Sequence, residues 1–432
     1  HSSRRLLGQG AAGLGGAGAG GRRGAAGGAG ARARRQLWRW GATHGDSARG
    51  QLEAPECSEQ PAPVEGVHGA TAVACGYDHS GFVEDGVLCT FGSNRHQQLG
   101  QELASSSSAD PLATPAPAIF QAEDGHRPAV LQVAFGAYHS AAITEGGALW
   151  TWGWGGSFWS GAGALGQGST ETRRIPTLVE RFVEYGEEVR QVACGSQHTL
   201  ALTDQGRLYA TGRGKYGRLG RGAYGEVNDE LDFEEIEYFD SSNDSVLNPS
   251  EAATIVKVDA GSNFSAAVSA QGELWVWGRN DYGQLGAGVE HMAASGSAAR
   301  YPRMIRALAL EGHRIVDFAC GERHVVALTS GGAIYEWGNR RWLDPHPVSL
   351  PSRYSEGLQN LVKVAAGDRV SFALTSDGKL YSWGDKASGC LAHGPSAPEN
   401  LSVPTLVQPE VFGGRRVVDI AAGRGRCLAI TE

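Results

Sequence analysis

Short runs in which large and small residues alternate recur along the chain, and each run lies between two glycines. One such run, His198–Thr203, reads HTLALT; the turn 204–206 and the aromatic run LYATG, which ends at Gly212, follow it. Alternation with a period of two is typical of β-strands, and a polar turn containing glycine joins antiparallel strands. The pattern therefore predicts strand–turn–strand units. With 64 glycines in the chain, we expect little helix.

The same unit occurs seven times with an almost constant internal spacing. In the first six copies, a first glycine is followed 16 or 17 residues later by a second glycine that closes an aromatic run. A period of roughly 60 residues with such rigid spacing predicts a repeat architecture. The first glycines are Gly76, Gly136, Gly195, Gly261, Gly321, Gly367 and Gly423, and the second are Gly92, Gly153, Gly212, Gly278, Gly338 and Gly384.

The seventh copy is split between the two ends of the chain. The chain stops at Glu432, shortly after Gly423, whereas an unmatched aromatic run, QLWRWG, ends at Gly41. Joining Glu432 to Arg34 would place Gly41 17 residues after Gly423, as in the intact copies. Pairing the terminal strands would remove the open edges of a ring of sheets. The sequence therefore predicts an all-β, seven-bladed β-propeller over residues 34–432, closed by N- and C-terminal strands in one blade.

The copies share the pattern A-[AC]-G-x-x-H-[ST]-x-A-[LI]-T-x-x-G-x-L-[WY]-x-W-G…Y-G-x-L-G. This pattern resembles the repeat of the regulator of chromosome condensation family, from about residue 34 to residue 432. The resemblance implies a seven-bladed propeller. For function it implies two alternatives, because the family includes a guanine-nucleotide exchange factor for a small GTPase and many members whose propeller is only a binding platform.

Composition and motifs argue against several classes of protein. The formal net charge of −8 argues against nucleic-acid binding over the whole surface. The seven cysteines contain no C-x-x-C pair, which indicates a reducing compartment. No stretch approaches the ~20 apolar residues of a membrane span, and the sequence motifs of serine hydrolases, zinc peptidases and P-loop NTPases are absent. We therefore expect no enzymatic activity, cofactor or metal.

Histidine and cysteine recur at fixed positions of the repeat. Because each histidine lies in a different predicted blade, together they cannot form one metal site; we expect them to be structural and hydrogen-bonded to backbone between strands. The cysteines alternate with alanine directly before the first glycine, which predicts a small, buried core position. These residues are His79, His139, His198 and His324, and Cys75, Cys194 and Cys320.

Two insertions depart from the repeat, at 154–163 and 221–254. The first is glycine-rich and contains three large aromatic residues, which predicts anchors for a partner, or else rings that fold back on the adjacent blade. The second mixes acidic and aromatic residues, which predicts a docking segment for a basic or mixed surface. The candidate partner-binding residues are Trp154, Phe158 and Trp159 in the first insertion, and Asp232, Phe233, Glu234 and Tyr238 in the second.

A third candidate site is formed by arginines in the turns that follow the first glycines. In a propeller these turns gather on one face, so Arg323, Arg369 and Arg424 should lie on the same side of the ring. If they are available, their guanidinium groups suit carboxylates or phosphates of a partner. The alternative is that Glu322 and Asp368 neutralise them locally.

Residues 1–33 form a Gly/Ala/Arg-rich tail without acidic residues. This composition is typical of an organelle transit peptide, of an arm that binds RNA or DNA phosphates, such as ribosomal RNA, or of a tail held against a partner. The sequence as a whole favours a non-enzymatic interaction scaffold, an accessory subunit of a large assembly in the mitochondrion. The alternatives are an exchange factor for a small GTPase and a nucleic-acid-associated propeller in the cytoplasm, nucleus or organelle.

Overall fold

The computed structural model describes most of the chain from Arg35 to Glu432, which forms one compact unit. The tail 1–33 lies outside the described residues, as do several loop segments. The described ranges are 35–42, 57–101, 112–121, 125–157, 161–222, 229–239, 253–288, 298–307, 310–349, 360–386 and 389–432.

Seven antiparallel sheets of four strands each make the molecule a seven-bladed propeller. In every blade the first strand lies at the central channel and the fourth lies at the outside. The strands of the first three blades come in chain order. Blade 1 contains β3 (Ala70–Cys75), β4 (His79–Glu84), β5 (Val87–Gly92) and β6 (Leu112–Pro117); blade 2 contains β7 (Val130–Phe135), β8 (His139–Thr144), β9 (Leu149–Gly153) and β12 (Arg173–Leu178); blade 3 contains β13 (Val189–Cys194), β14 (His198–Thr203), β15 (Leu208–Gly212) and β16 (Glu230–Glu235).

The remaining blades repeat this order. Blade 4 contains β17 (Ile255–Ala260), β18 (Phe264–Ser269), β19 (Leu274–Arg279) and β20 (Ala298–Met304); blade 5 contains β21 (Ile315–Cys320), β22 (His324–Thr329), β23 (Ile334–Gly338) and β24 (Trp342–Pro347); blade 6 contains β25 (Leu361–Ala366), β26 (Val370–Thr375), β27 (Leu380–Asp385) and β28 (Asn400–Leu406). Blade 7 contains β29 (Val417–Ala422), β30 (Arg426–Thr431), β1 (Gln36–Ala42) and β2 (Cys57–Pro63).

Helix is scarce, as predicted. Within the described ranges, the α-helix is the single turn α1 (Glu180–Glu184), accompanied by short 3₁₀ segments. The first insertion forms a small hairpin of β10 (Gly156–Ser157) and β11 (Gly161–Ala162). The 3₁₀ segments are Glu145–Gly147, Lys215–Gly217, Glu237–Phe239 and Pro409–Phe412.

Blade 7 confirms the predicted closure of the ring. β1 pairs with β30 from Gln36 opposite Thr431 to Gly41 opposite Arg426, so the N-terminal strand is inserted as the third strand of the C-terminal blade. Its residues Leu37, Trp38 and Trp40 are buried, and Trp38 donates a hydrogen bond from Nε1 to Thr431 Oγ1 at 2.9 Å. The terminal strands thus close the ring by pairing in one sheet.

The repeated histidines join neighbouring blades, but their partners differ from the prediction. His139 Nε2 lies 2.9 Å from Thr199 Oγ1 in the next blade, and Thr199 donates its own proton to the Ala164 carbonyl oxygen at 2.6 Å. His139 Nε2 must therefore be the donor in this pair, which fixes the neutral tautomer. The same histidine–hydroxyl contact joins His79 to Ser140, His198 to Ser265 and His324 to Ser371. The histidines are structural, as expected, although their Nε2 atoms bind hydroxyl groups where backbone partners were predicted.

The repeated tryptophans also join neighbouring blades. Trp277, in the third strand of blade 4, is fully buried and donates from Nε1 to the Arg218 carbonyl oxygen in the blade 3 loop, at 2.9 Å. Trp152 and Trp337 make the corresponding bonds to Gln98 and Gln284, at 2.9 and 3.0 Å. Each buried ring therefore fills the space between two blades and satisfies its polar atom there.

The first glycine of each repeat is required by close packing between blades. A Cβ atom at Gly136 would overlap the Gly195 carbonyl oxygen of the next blade and the His139 ring. We expect Gly136→Ala to lower the free energy of unfolding by about 1–3 kcal/mol, because the backbone cannot move aside without separating two blades.

Gly331→Ala is the control for this prediction, since its nearest atom, Thr329 Oγ1, is 3.9 Å from the added Cβ. The measurement is chemical denaturation of both variants and the wild type. Equal stability of the two variants would show that the glycine position tolerates a side chain.

Candidate functional site

Two sets of loops lie on one side of the ring, which we call the turn face. The turn between the first and second strand of each blade lies there, as does the loop between the third and fourth strands, because antiparallel strands return to the same side. The first set includes residues 76–78, and the second includes residues 213–218. The turns between second and third strands, such as 204–206, lie on the opposite face. The predicted grouping of the arginine-bearing turns on one face is thus part of the fold.

The seven first strands line a central channel with a cavity of about 300 Å³. The channel is partly closed at the turn face, because the Tyr77 hydroxyl of blade 1 reaches across the ring and donates to Ser262 Oγ of blade 4 at 2.7 Å. Burial raises the pKa of Tyr77, so the phenol stays protonated at neutral pH. A partner approaching the turn face therefore meets a surface and not an open pore.

The polar groups inside the channel bind one another. Lys257 forms an ion pair with Asp317, and Lys363 forms one with Asp419, each joining neighbouring blades. Asp259 accepts backbone hydrogen bonds from Cys320 at 2.7 Å and Ala260 at 2.8 Å, and burial raises its pKa. These groups therefore tie the first strands of neighbouring blades together.

The arginine cluster predicted from the turns is neutralised locally. Arg323 binds Glu322 at 3.0 Å and Arg424 approaches the same carboxylate at 3.6 Å. Arg369 binds Asp385 at 3.1 Å and lies 4.0 Å from Asp368. Burial, followed by the Asp368 charge, raises the pKa of Glu322. The structure thus favours the alternative stated from the sequence, although Arg369 keeps 56% of its side chain exposed.

The aromatic insertion is only partly described. Trp154 is half-buried and packs edge-on against Tyr138, with ring centroids 6.1 Å apart, and Tyr138 in turn contacts His96 at 4.6 Å. This small aromatic cluster lies on the turn face of blades 1 and 2. Phe158 and Trp159 lie outside the described residues, so their role as partner anchors stays a prediction.

The described part of the acidic insertion belongs to the propeller, whereas 223–228 and 240–252 lie outside the described residues, so its role as a docking segment stays a prediction. Residues 230–235 form β16, the outer strand of blade 3. Phe233 is fully buried and packs against Phe182 at 5.3 Å between centroids, so the prediction that it contacts a partner is wrong. Asp232 is exposed, Glu234 lies 3.8 Å from Arg221, and Tyr238 is half-buried against Trp275 at 5.7 Å.

Sequence reasoning missed a row of alternating tyrosines and cations across blades 3, 4 and 5 of the turn face. We call it the tyrosine–arginine patch; it consists of Lys215, Tyr216, Arg279, Tyr282, Arg323 and Arg340. The Tyr216 ring lies 5.0 Å from Lys215 Nζ and 4.8 Å from the Arg279 guanidinium carbon. The Tyr282 ring lies 4.5 Å from Arg323 and 4.7 Å from Arg340. The available signal was the recurrence of G-R-x-x-Y-G at 212–217 and 278–283.

The cysteines of the described part of the chain are free thiols. None of the six cysteines whose side chains are described forms a disulfide, and Cys75, Cys194 and Cys320 end strands that line the channel. Cys320 is buried as predicted, whereas Cys75 and Cys194 are half-buried. No group of three metal-binding side chains occurs among the described residues. No helix within the same ranges is long and apolar enough to cross a membrane.

Comparison with known proteins agrees with the repeat. A family model described as RCC1-like domain matches residues 36–429. The ultraviolet-B receptor UVR8 of Arabidopsis thaliana is 30% identical over 281 residues, which are 64% of this chain and 55% of that protein. The mitochondrial RCC1 domain-containing protein RUG3 of the same plant is 31% identical over 271 residues, 62% of this chain and 53% of that protein. The chain thus spans about half the length of these two relatives.

A solved structure agrees with the fold. The crystal structure of Prp20p from Saccharomyces cerevisiae superimposes with a TM-score of 0.72 and covers 93% of this chain and 92% of that one. Prp20p was described together with its binding to Gsp1p and histones. At 19% sequence identity, the likeness concerns the propeller alone.

Proposed function

Because the chain belongs to the family of RCC1-like domains, we propose that it is a non-enzymatic interaction scaffold, an accessory subunit of a large assembly. The observation that carries this proposal is the form of the turn face. Tyr77 bridges the channel mouth to Ser262, while charged side chains of several blades are exposed around it and aromatic ones are half-buried. Such a surface suits a protein interface, which uses aromatic and arginine anchors, better than it suits a substrate pocket.

We further propose that the assembly is mitochondrial. The relative RUG3 is a mitochondrial protein by name, and the arginine-rich, acid-poor tail 1–33 has the composition of organelle targeting segments. Fractionation of cells that express the full chain with a C-terminal tag tests this location. Recovery with the mitochondrial matrix is expected, and recovery in nuclei or cytosol would contradict it.

The size of the native particle tests the scaffold proposal. The tagged chain, extracted gently and analysed by native gel and mass photometry, should migrate far above its own 45.4 kDa. Nuclease treatment during extraction shows whether RNA holds the particle together. A nucleotide-release assay with small GTPases of the same compartment tests the exchange-factor alternative. If the chain is a monomer of about 45 kDa and accelerates nucleotide release, the scaffold proposal is wrong and the exchange-factor alternative holds.

Charge reversal at the centre of the turn face should release a partner without unfolding the ring. We expect Arg369→Glu with Arg424→Glu to remove at least one subunit from the particle, because both side chains are 41% exposed or more. The free energy of unfolding should fall by no more than about 1–2 kcal/mol, because the new carboxylates lie beside Glu322, Asp368 and Asp385 on an exposed surface.

The matched control is the opposite-face control variant, Lys379→Glu with Arg314→Glu. It changes the net charge equally on the other side of the ring, where Arg314 donates to the Ala270 carbonyl oxygen at 2.9 Å. The subunit composition of both particles is read by mass spectrometry. An unchanged composition in the turn-face variant would show that Arg369 and Arg424 contact no partner.

A further inference from the structure

We infer that the tyrosine–arginine patch binds an acidic segment of a partner protein, a run of aspartate and glutamate side chains. This inference rests on the proposed scaffold function and adds the chemistry of one interface to it. Nothing in the repeat of the fold requires the patch, because blade 1 has His96 at the position of the tyrosines and blade 2 has Trp154 at the position of Arg279.

The charge of the patch is not balanced within the described residues. Arg279 binds Asp281 at 2.5 Å and Arg323 binds Glu322 at 3.0 Å. Lys215 and Arg340 have no carboxylate within salt-bridge distance among the described residues; Arg340 instead donates from Nε to the Asp281 carbonyl oxygen at 3.2 Å. Both of these side chains belong to exposed residues. On a chain with a formal net charge of −8, the patch is therefore a local positive surface.

The tyrosine rings hold the cations in place before a partner arrives. Each ring has three cationic groups within 6 Å of its centroid: Lys215, Arg218 and Arg279 around Tyr216, and Arg279, Arg323 and Arg340 around Tyr282. Contact with the ring face already restricts each cationic side chain, so less conformational freedom is lost when a partner binds. The guanidinium N–H groups that are not bonded within the patch can donate to carboxylate oxygens of a partner.

Two observations favour an acidic protein segment over a nucleic-acid strand. The rings of Tyr216 and Tyr282 are already engaged by cations, so they do not offer the open stacking platforms on which single-stranded bases are bound. The patch also contains the carboxylates of Asp281 and Glu322, each bound by one of its arginines. These internal pairs show that the guanidinium groups are placed for carboxylates.

Fluorescence anisotropy with a labelled peptide of about ten glutamates tests the inference directly, using the full chain at about 50 mM and about 150 mM salt. We expect measurable binding that weakens with salt, although the net charge of the protein repels the peptide. Lys215→Glu with Arg340→Glu should weaken binding at least tenfold, because both cations are exposed and unbalanced. The opposite-face control variant, which carries the same change in net charge, should bind like the wild type.

Three results would overturn the inference. The first is equal peptide affinity in the patch variant, Lys215→Glu with Arg340→Glu, and in the control variant. The second is tighter binding of a single-stranded oligonucleotide than of the peptide, at similar charge. The third is self-association of the chain through the patch, seen in sedimentation, without binding of the peptide. A failure of the scaffold proposal is distinguishable from these results, because the native particle analysis would then show a monomer whether or not the peptide binds. Conversely, if the patch variant forms an intact particle and binds the peptide as the wild type does, the acidic-ligand inference is wrong and the scaffold proposal stands.

Discussion

Removing residues 1–41 should destroy the cooperative folding of the ring. The deletion takes away β1, which pairs with β30 on one side and β2 on the other, and with it the buried Leu37, Trp38 and Trp40. Truncating one buried tryptophan costs about 3–5 kcal/mol, and small proteins have only about 5–15 kcal/mol in total. Losing two tryptophans and two strand ladders should therefore leave a partly open, aggregation-prone chain at 37 °C.

The control for this deletion is a chain that lacks residues 1–33 and keeps β1. It should melt like the full chain, since the described fold begins at Arg35. Trp40→Ala gives an intermediate case, because it removes one ring and its hydrogen bond to the Cys390 carbonyl oxygen at 2.8 Å but keeps the strand. Thermal unfolding followed by circular dichroism ranks the three proteins. A deletion of 1–41 that melts with the wild type would show that β1 does not close the ring.

Mild acid should destabilise the propeller through its buried histidines. Burial lowers the pKa of His139 from its ordinary 6.5 to about 3, and burial also lowers the pKa of His79, His198 and His324. The unfolded chain therefore binds more protons than the folded one below pH 6.5, so this stability is complete above pH 6.5 and is lost as the pH falls towards 3. At pH 5, His139 alone should account for a loss of about 2 kcal/mol.

Blade 4 supplies a natural control for the histidine prediction. There the histidine position is Phe264, and the position of the hydroxyl in the next blade is Val325, both fully buried in one cluster. The double variant His139→Phe with Thr199→Val copies this pair between blades 2 and 3. Between pH 7 and pH 5, the free energy of unfolding of this variant should fall by about 2 kcal/mol less than that of the wild type.

Denaturant titrations at the two pH values measure this difference. Asp259 and Glu322 have raised pKa values and act in the opposite direction, but they are common to both proteins and cancel. An equal loss of stability in the variant and the wild type would mean that His139 is not responsible for the acid sensitivity.

Three of the four strands of each blade could be predicted from the sequence. They carry the glycines, the alternating residues and the aromatic run, and these positions are fixed by packing between blades, as at Gly136 and Trp277. The split seventh copy was equally clear because its spacing continues across the termini. Fold and closure followed from the repeat for this reason.

The outer strands could not be predicted in the same way. They pack on one side only and pair irregularly, and several contain proline, as in β6 and β24. The acidic residues of β16 therefore resembled a loop, and Phe233 resembled an exposed anchor until the structure placed it inside.

The turn face was predicted in outline but not in detail. The sequence placed Arg323, Arg369 and Arg424 on one side of the ring, whereas which carboxylate each one binds depends on distances between blades. The tyrosine–arginine patch combines side chains of three blades, and no single repeat contains it. Contacts of this kind depend on how the ring brings separate copies together.

Zero-length carbodiimide cross-linking of the native particle tests the central claim, that the turn face binds acidic partners, most directly. The chain has five lysines: Lys215 on the turn face, Lys379 on the opposite face, Lys257 and Lys363 in the channel, and Lys386, which binds Glu59. The channel lysines should couple to Asp317 and Asp419 and so report that the ring is intact. We predict that Lys215 couples to aspartate or glutamate of another subunit and that Lys379 does not. Coupling of Lys379 to a partner, with Lys215 left unmodified, would contradict the account.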